Sequence, residues 1–225
     1  MEEKKTAGDL RRDALLYRPK NGWDRITPAQ EGELKGYCEA YKKFLDDGMT
    51  EREAVDAAIA LAEAKGFKPF VRGMELKAGD KIYRSNRGKA VMLAVVGSES
   101  LDQGVNICAA HIDSPRLDLK PNPLYEDSEL AFLKTHYYGG IRKYQWVTIP
   151  LELHGVVALK DGSTVKVVVG PAAGDPVFTI DDLLPHLGAE QSKKPLGEAI
   201  PGESLNILVG SRPFEDDEGS DRVKL

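Results

Sequence analysis

Two side chains in one short stretch carry the clearest chemistry in this sequence. In Asn106-Ile107-Cys108-Ala109-Ala110-His111-Ile112-Asp113-Ser114-Pro115, a small, apolar run delivers a histidine and an aspartate just before a Ser-Pro break. Alternate residues of a strand share a face. The spacing therefore predicts that His111 and Asp113 emerge together at the carboxyl end of a buried strand, where open α/β sheets place their chemistry. An imidazole with a carboxylate nearby suits a metal: the ring ligates, and the carboxylate orients it and tunes its basicity. On spacing alone the plainer assignment is the favoured one, with His111 capping a strand and Asp113 beginning an Asx turn.

The remaining candidate groups are dispersed. His111, His136, His154 and His186 lie 25, 18 and 32 residues apart, so no local cluster of metal ligands exists in sequence. His136 precedes Tyr137-Tyr138-Gly139-Gly140, an aromatic loop suited either to lining a site or to plain exposure. His154 follows an alternating strand and reads as structural. Glu51 and Glu53 read as helix-capping residues, and Ser114 as a turn residue before Pro115. No Gly-x-Ser-x-Gly elbow supports a serine hydrolase, and no phosphate-binding glycine loop is present. Asn86-Arg87-Gly88 reads as a turn.

The elements that must position the pair follow from capping and periodicity. Residues 1–26 read as an irregular arm. Thr27-Pro28-Ala29-Gln30 opens a helix with a capping box, and Leu34, Tyr37, Cys38, Tyr41, Phe44 and Leu45 recur on one face as a core stripe. Thr50-Glu51-Arg52-Glu53 opens a second helix with an alanine-rich face. A hairpin over residues 82–96 follows, then the strand that carries His111. After Pro115 a proline-punctuated crossing marks a domain boundary near residue 120. The rest reads as strands at 144–149, 151–159, 164–169 and 205–210, with a helical turn at 181–187 and a solvated acidic run at Glu215–Asp221. The predicted architecture is α/β, with an N-terminal part over residues 1–118 and a β-rich part over 119–225.

At 225 residues, with 41% hydrophobic and 30% charged residues, the chain is ordinary for a globular protein. The net charge of −5 argues against a nucleic-acid binder. Cys38 and Cys108 form no metal or redox motif and no disulfide framework, which fits a reducing compartment. No signal peptide and no membrane span are expected, and the expected location is cytoplasmic.

His111-Ile112-Asp113-Ser114-Pro115-Arg116-Leu117-Asp118-Leu119-Lys120-Pro121 resembles the zinc aminopeptidases of the aspartyl aminopeptidase and vacuolar aminopeptidase I family. The resemblance continues in family order through Tyr138-Gly139-Gly140-Ile141, Leu153-His154-Gly155-Val156-Val157, Leu184-Pro185-His186-Leu187 and Gly202-Glu203-Ser204-Leu205-Asn206. It implies a partial zinc-exopeptidase catalytic domain interrupted by a β-rich dimerisation domain, two zinc ions per complete active site, peptide substrates and a homo-oligomer, the family's dodecamer. It implies that His111 is a zinc ligand and Asp113 the catalytic carboxylate. It also implies that His186 is the substrate-binding histidine which reaches a neighbouring subunit, although Glu190 stands where relatives carry a second histidine.

The family's bridging aspartate, Glu-Glu pair and further Asp and His ligands follow the inserted domain, and residues 187–225 contain no histidine and no Glu-Glu pair. The expectation is the N-terminal half of an aminopeptidase, inactive without a C-terminal half, from a truncated, incomplete or split protein. The alternative is a stand-alone oligomerisation fragment without catalysis.

Overall fold

Side-chain caps set the helix starts. In the computed structural model, which describes residues 5–212, the Asp9 amide donates to Thr6 Oγ1 at 3.2 Å and the Thr6 amide donates to Asp9 Oδ2 at 3.1 Å. This reciprocal box satisfies two amides that a helix start leaves unpaired. It opens α1 (Ala7–Leu15), so the predicted irregular arm contains a helix. The same device opens α2 (Pro28–Asp47), where the Thr27 amide donates to Gln30 at 2.9 Å and the Gln30 amide to Thr27 at 3.3 Å. None of the residues in α2 is buried, so its stripe is not the core face predicted for it. The acidic run Glu215–Asp221 lies outside the described residues.

The chain divides into two compact units, residues 1–46 and 47–225. In the second, Thr50 Oγ1 accepts from the Glu53 amide at 3.3 Å and starts α3 (Glu51–Ala64). Its buried face, Ala54, Val55 and Ala62, is built from small side chains and packs against a three-stranded sheet. There β1 (Lys68–Pro69) pairs parallel with β2 (Lys81–Asn86), and β2 pairs antiparallel with β3 (Ala90–Val95). The predicted hairpin is present. Its turn holds Arg87 and Gly88 at φ 58° and 64°, the left-handed geometry that glycine favours.

The predicted core strand at Asn106–Ala110 is absent. Residues 104–115 are irregular, with Ile107 82% and Val105 60% exposed. A nearly continuous apolar run needs neighbours that pair with it and cover both faces, and the described residues provide none.

The proline-punctuated crossing is a strand. β4 (Arg116–Asp127) runs through residues 118–119, and its register against β5 (Leu130–Tyr138) slips between Leu119 and Leu124. Pro121 and Pro123 sit in that irregular stretch, where a missing amide breaks no ladder bond. The segment predicted as a strand at 144–149 is instead a 3-10 turn at Lys143–Gln145 followed by irregular chain. Thr148 has φ 63°, which interrupts an extended run, and Val147 turns into the core.

The β6 (Leu153–Ala158) and β7 (Thr164–Val169) hairpin forms as its alternation predicts, closed by Gly162 at φ 86°. A short helix, α4 (Leu196–Ala199), precedes β8 (Ile207–Gly210), which completes a sheet of order β4-β5-β8. The main apolar core lies here: Val147, Ile180, Ile200, Leu205 and Ile207, with Leu133, Trp146 and Phe178 packed around them. Thr135 is buried beside this core and donates its hydroxyl to the Leu205 carbonyl.

Candidate metal-ligand and carboxylate site

His111 lies within the irregular segment, and its side chain is 84% exposed. Its Nδ1 lies 3.0 Å from the Asp113 carbonyl oxygen and 3.3 Å from Asp113 Oδ1. Both neighbours are acceptors, so in the neutral ring Nδ1 carries the hydrogen and donates. The Nε2 lone pair then faces outward with no partner among the described residues. This is the tautomer a metal-ligating histidine needs, with a carboxylate behind the ring.

The other carboxylate oxygen of Asp113 is occupied as well. Tyr138 Oη donates to Asp113 Oδ2 at 2.6 Å. The β4–β5 ladder explains the meeting, because Arg116 and Tyr138 are register partners. Arg116 lies over the Tyr138 ring with its guanidinium carbon 4.3 Å from the centroid, and its Nε donates to Asp118 at 2.7 Å. Arg116 also lies 3.8 Å from Glu51. Gly139, at φ 80°, brings the chain against Pro115, and a side chain there would meet the proline at 3.5 Å. The Tyr138 hydroxyl, its own amide and His111 hold the Asp113 carboxyl below the usual carboxylate range, and the same hydrogen bond raises the Tyr138 hydroxyl.

The structure thus brings His111 and Asp113 together as the spacing predicts, though on an irregular segment rather than a core strand. It does not bring His186 to them. His186 is exposed in the turn at residues 185–187 and shares no hydrogen bond or ion pair with either among the described residues. His136 stacks on Tyr137, with ring centroids 5.5 Å apart. Sequence reasoning missed Tyr138 as a partner of Asp113. The Tyr138-Gly139-Gly140 loop stood out, but its register against Arg116 is a property of the folded ladder.

It also missed a second polar cluster. Glu53 of α3, read as a cap, is 8% exposed and accepts from His154 Nδ1, which lies 3.1 Å from both carboxylate oxygens. Lys166 reaches Glu53 Oε1 at 3.1 Å, and His154 Nε2 reaches Glu152 at 3.0 Å. Burial opposes charge on His154, but the bonds to Glu152 and Glu53 outweigh it and raise its pKa. Burial likewise opposes charge on Glu53, and His154 and Lys166 outweigh it and lower its pKa.

As a metal site the donor chemistry fits in part. His111 and Asp113 suit one ligand and the carboxylate behind it. A catalytic zinc takes three protein ligands and an open position, and no group of three His, Cys, Asp or Glu side chains able to hold a metal exists among the described residues. Two surface hollows, of about 310 Å³ beside Tyr144 and Leu196 and about 530 Å³ beside Asp182 and Ile200, do not include the pair. Among the described residues, no helix is long and apolar enough to cross a membrane.

Known proteins share this sequence and fold. The family of aminopeptidase I zinc metalloproteases (M18) matches residues 44–225. A curated relative from Clostridium acetobutylicum, "Probable M18 family aminopeptidase 1", is 49% identical over 214 residues, covering 93% of this chain and 46% of the relative. A relative of the same name from Thermotoga maritima is 42% identical over 203 residues, covering 88% of this chain and 43% of its own length. The crystal structure of aminopeptidase I from Clostridium acetobutylicum superposes with a TM-score of 0.81 at 42% identity, over 93% of this chain and 47% of that one. The Saccharomyces cerevisiae mApe1 dodecamer shares the fold at a TM-score of 0.60 and 19% identity, over 82% of this chain and 40% of that one. The chain spans about half the length of the curated relatives it matches. With the family model matched over residues 44–225 and the fold shared with solved members, the chain belongs to the aminopeptidase I zinc metalloprotease (M18) family.

Proposed function

We propose that this chain supplies the N-terminal part of a zinc-dependent aminopeptidase that removes N-terminal residues from peptides at a two-zinc site. The observation that supports it most is His111: its Nδ1 is committed to Asp113, which leaves the Nε2 lone pair available to ligate, in a member of a zinc metalloprotease family. In this reading His111 is a zinc ligand. Asp113 orients it and is the site's catalytic carboxylate. Bound zinc would supply an activated water and polarise the scissile carbonyl. The residues of this chain present the imidazole and fix its tautomer.

The further ligands belong to the part of the relatives that this chain does not span. The division into a catalytic part over 1–118 and a β-rich dimerisation part over 119–225 is proposed with it, as are His186 as a substrate-binding residue and assembly as a homo-oligomer, the family's dodecamer. The solved mApe1 dodecamer is the precedent for that assembly. A cytoplasmic location is part of the proposal, and it agrees with two cysteines that are both free. Metal analysis tests the reading: the protein at the relatives' full length should carry two zinc ions per active site, and His111→Gln should lose one. Unchanged stoichiometry in the variant would remove His111 from the site.

A second reading, an oligomerisation fragment without catalysis, draws on the position of the main cluster of buried apolar side chains, Val147, Ile180, Ile200, Leu205 and Ile207, in the strand-rich second half. Light scattering on the 225-residue chain tests it, and a monodisperse monomer would dispose of it.

A further inference from the structure

Asp113 is held from both sides. Oδ1 faces His111 Nδ1 at 3.3 Å, and Oδ2 accepts from Tyr138 at 2.6 Å. Two observations independent of that hydrogen bond keep Tyr138 in place. Its backbone is register partner to Arg116 at the end of the β4–β5 ladder, and its ring lies beneath the Arg116 guanidinium at 4.3 Å. Arg116 is itself anchored by Asp118 at 2.7 Å. The segment that carries His111 has no ladder of its own, being irregular from residue 104 to residue 115. The Tyr138 hydroxyl ties Asp113 to β5 across that gap.

We infer that Tyr138 is a positioning residue for His111, acting through Asp113: its hydroxyl fixes the carboxylate so that the ring stays in the Nδ1–H tautomer with Nε2 presented outward. This rests on the proposed role of His111 as a zinc ligand and extends it to a residue whose hydroxyl is bonded to Asp113. The physical reason is geometric. A free aspartate rotates about its side-chain torsions and can turn away from the ring, whereas one with its far oxygen committed to a ladder-anchored hydroxyl has one orientation left. The backbone carbonyl of Asp113 also accepts from Nδ1, at 3.0 Å, and is carried by the same residue. Partners behind a ligating imidazole are worth about 10- to 100-fold in affinity or activity.

The test reads the tautomer on the metal-free 225-residue chain, where no catalysis is needed. Long-range ¹H–¹⁵N NMR at pH 8, about 1.5 units above the ordinary imidazole pKa, distinguishes a protonated Nδ1 from a protonated Nε2. His111→Gln assigns the signal among the four histidines. Wild type should show His111 as Nδ1–H with an unprotonated Nε2. Tyr138→Phe, which keeps the ring and removes only the hydroxyl, should move His111 to a mixture containing the Nε2–H form. Asp113→Asn should do the same. An unchanged His111 spectrum in Tyr138→Phe, with Asp113→Asn shifted, would overturn the positioning role.

In the zinc-loaded, full-length protein, Tyr138→Phe should lower kcat by about 10- to 100-fold with KM little changed. A change in KM alone would contradict the inference. The two readings fail separately: a shifted tautomer in Tyr138→Phe together with unaltered zinc content in His111→Gln would leave the Tyr138 lock standing and remove the zinc assignment.

Discussion

His154 on β6 and Glu53 on α3 meet across 101 positions of sequence, with Nδ1 of the histidine 3.1 Å from each carboxylate oxygen. Their side chains are only 13% and 9% exposed. The contact pins the β6–β7 hairpin to the helix that precedes the first sheet, and Lys166 and Glu152 complete the cluster from β7 and from the residue before β6.

This pair predicts a pH dependence of stability. The His154 pKa is raised from its ordinary 6.5, so its contribution is complete below that value and is lost as pH rises through the raised one. The Glu53 pKa is lowered from 4.5, so its contribution is complete above that value and is lost as pH falls through the lowered one. Urea unfolding should therefore show the largest contribution of the pair between about pH 4.5 and 6.5. His154→Gln should abolish the alkaline loss. An equal alkaline loss in the variant would contradict the assignment.

His154→Ala should destabilise by about 1–3 kcal/mol at pH 6, between the values for exposed and fully buried pairs. Glu53 keeps Lys166 and the Thr50 hydroxyl, at 3.1 Å each, which limits the loss. A denaturation midpoint equal to that of wild type would show that the contact contributes nothing.

Leu205 is fully buried among Val147, Ile180, Ile200 and Ile207. Leu205→Ala should cost about 2–5 kcal/mol through lost burial and the cavity left behind. Leu61→Ala, at a side chain 58% exposed, should stay within about 0.5 kcal/mol of wild type. Equal costs would place the core elsewhere.

Hydrogen exchange should divide the chain in the same way. Amides of Asn106–Ala110 should exchange without protection, whereas Leu117–Leu119 of β4 and Thr135–Tyr137 of β5 should be protected by their ladder. Uniform protection across both segments would show that residues 106–110 are paired.

Much of this was legible in the sequence wherever one local interaction decides the outcome. Thr27 with Gln30 and Thr50 with Glu53 announce α2 and α3, and Asp161-Gly162 announces the β6–β7 turn. Thr6 with Asp9 announces α1 by the same logic, although Pro19 and Asn21-Gly22 nearby favour irregular chain. Asn106–Ala110 has the composition of a buried strand but lacks neighbours among the described residues, and composition cannot register a missing partner. Tyr144–Ile149 alternates like a strand, but Thr148 at φ 63° breaks the extension. His111 and Asp113 were found because their contact is local. Tyr138 and the Glu53–His154 pair were not, because 25 and 101 residues separate the partners.

The proposed role of His111 is that of a metal ligand of an aminopeptidase, held by Asp113. It is tested most directly by hydrolysis of an aminoacyl substrate with a free N-terminus, using zinc-loaded protein at the relatives' full length, wild type against His111→Gln. Wild type should release the N-terminal residue in a metal-dependent way, and the variant should show background rates. A variant that cleaves at the wild-type rate with folding intact would contradict it.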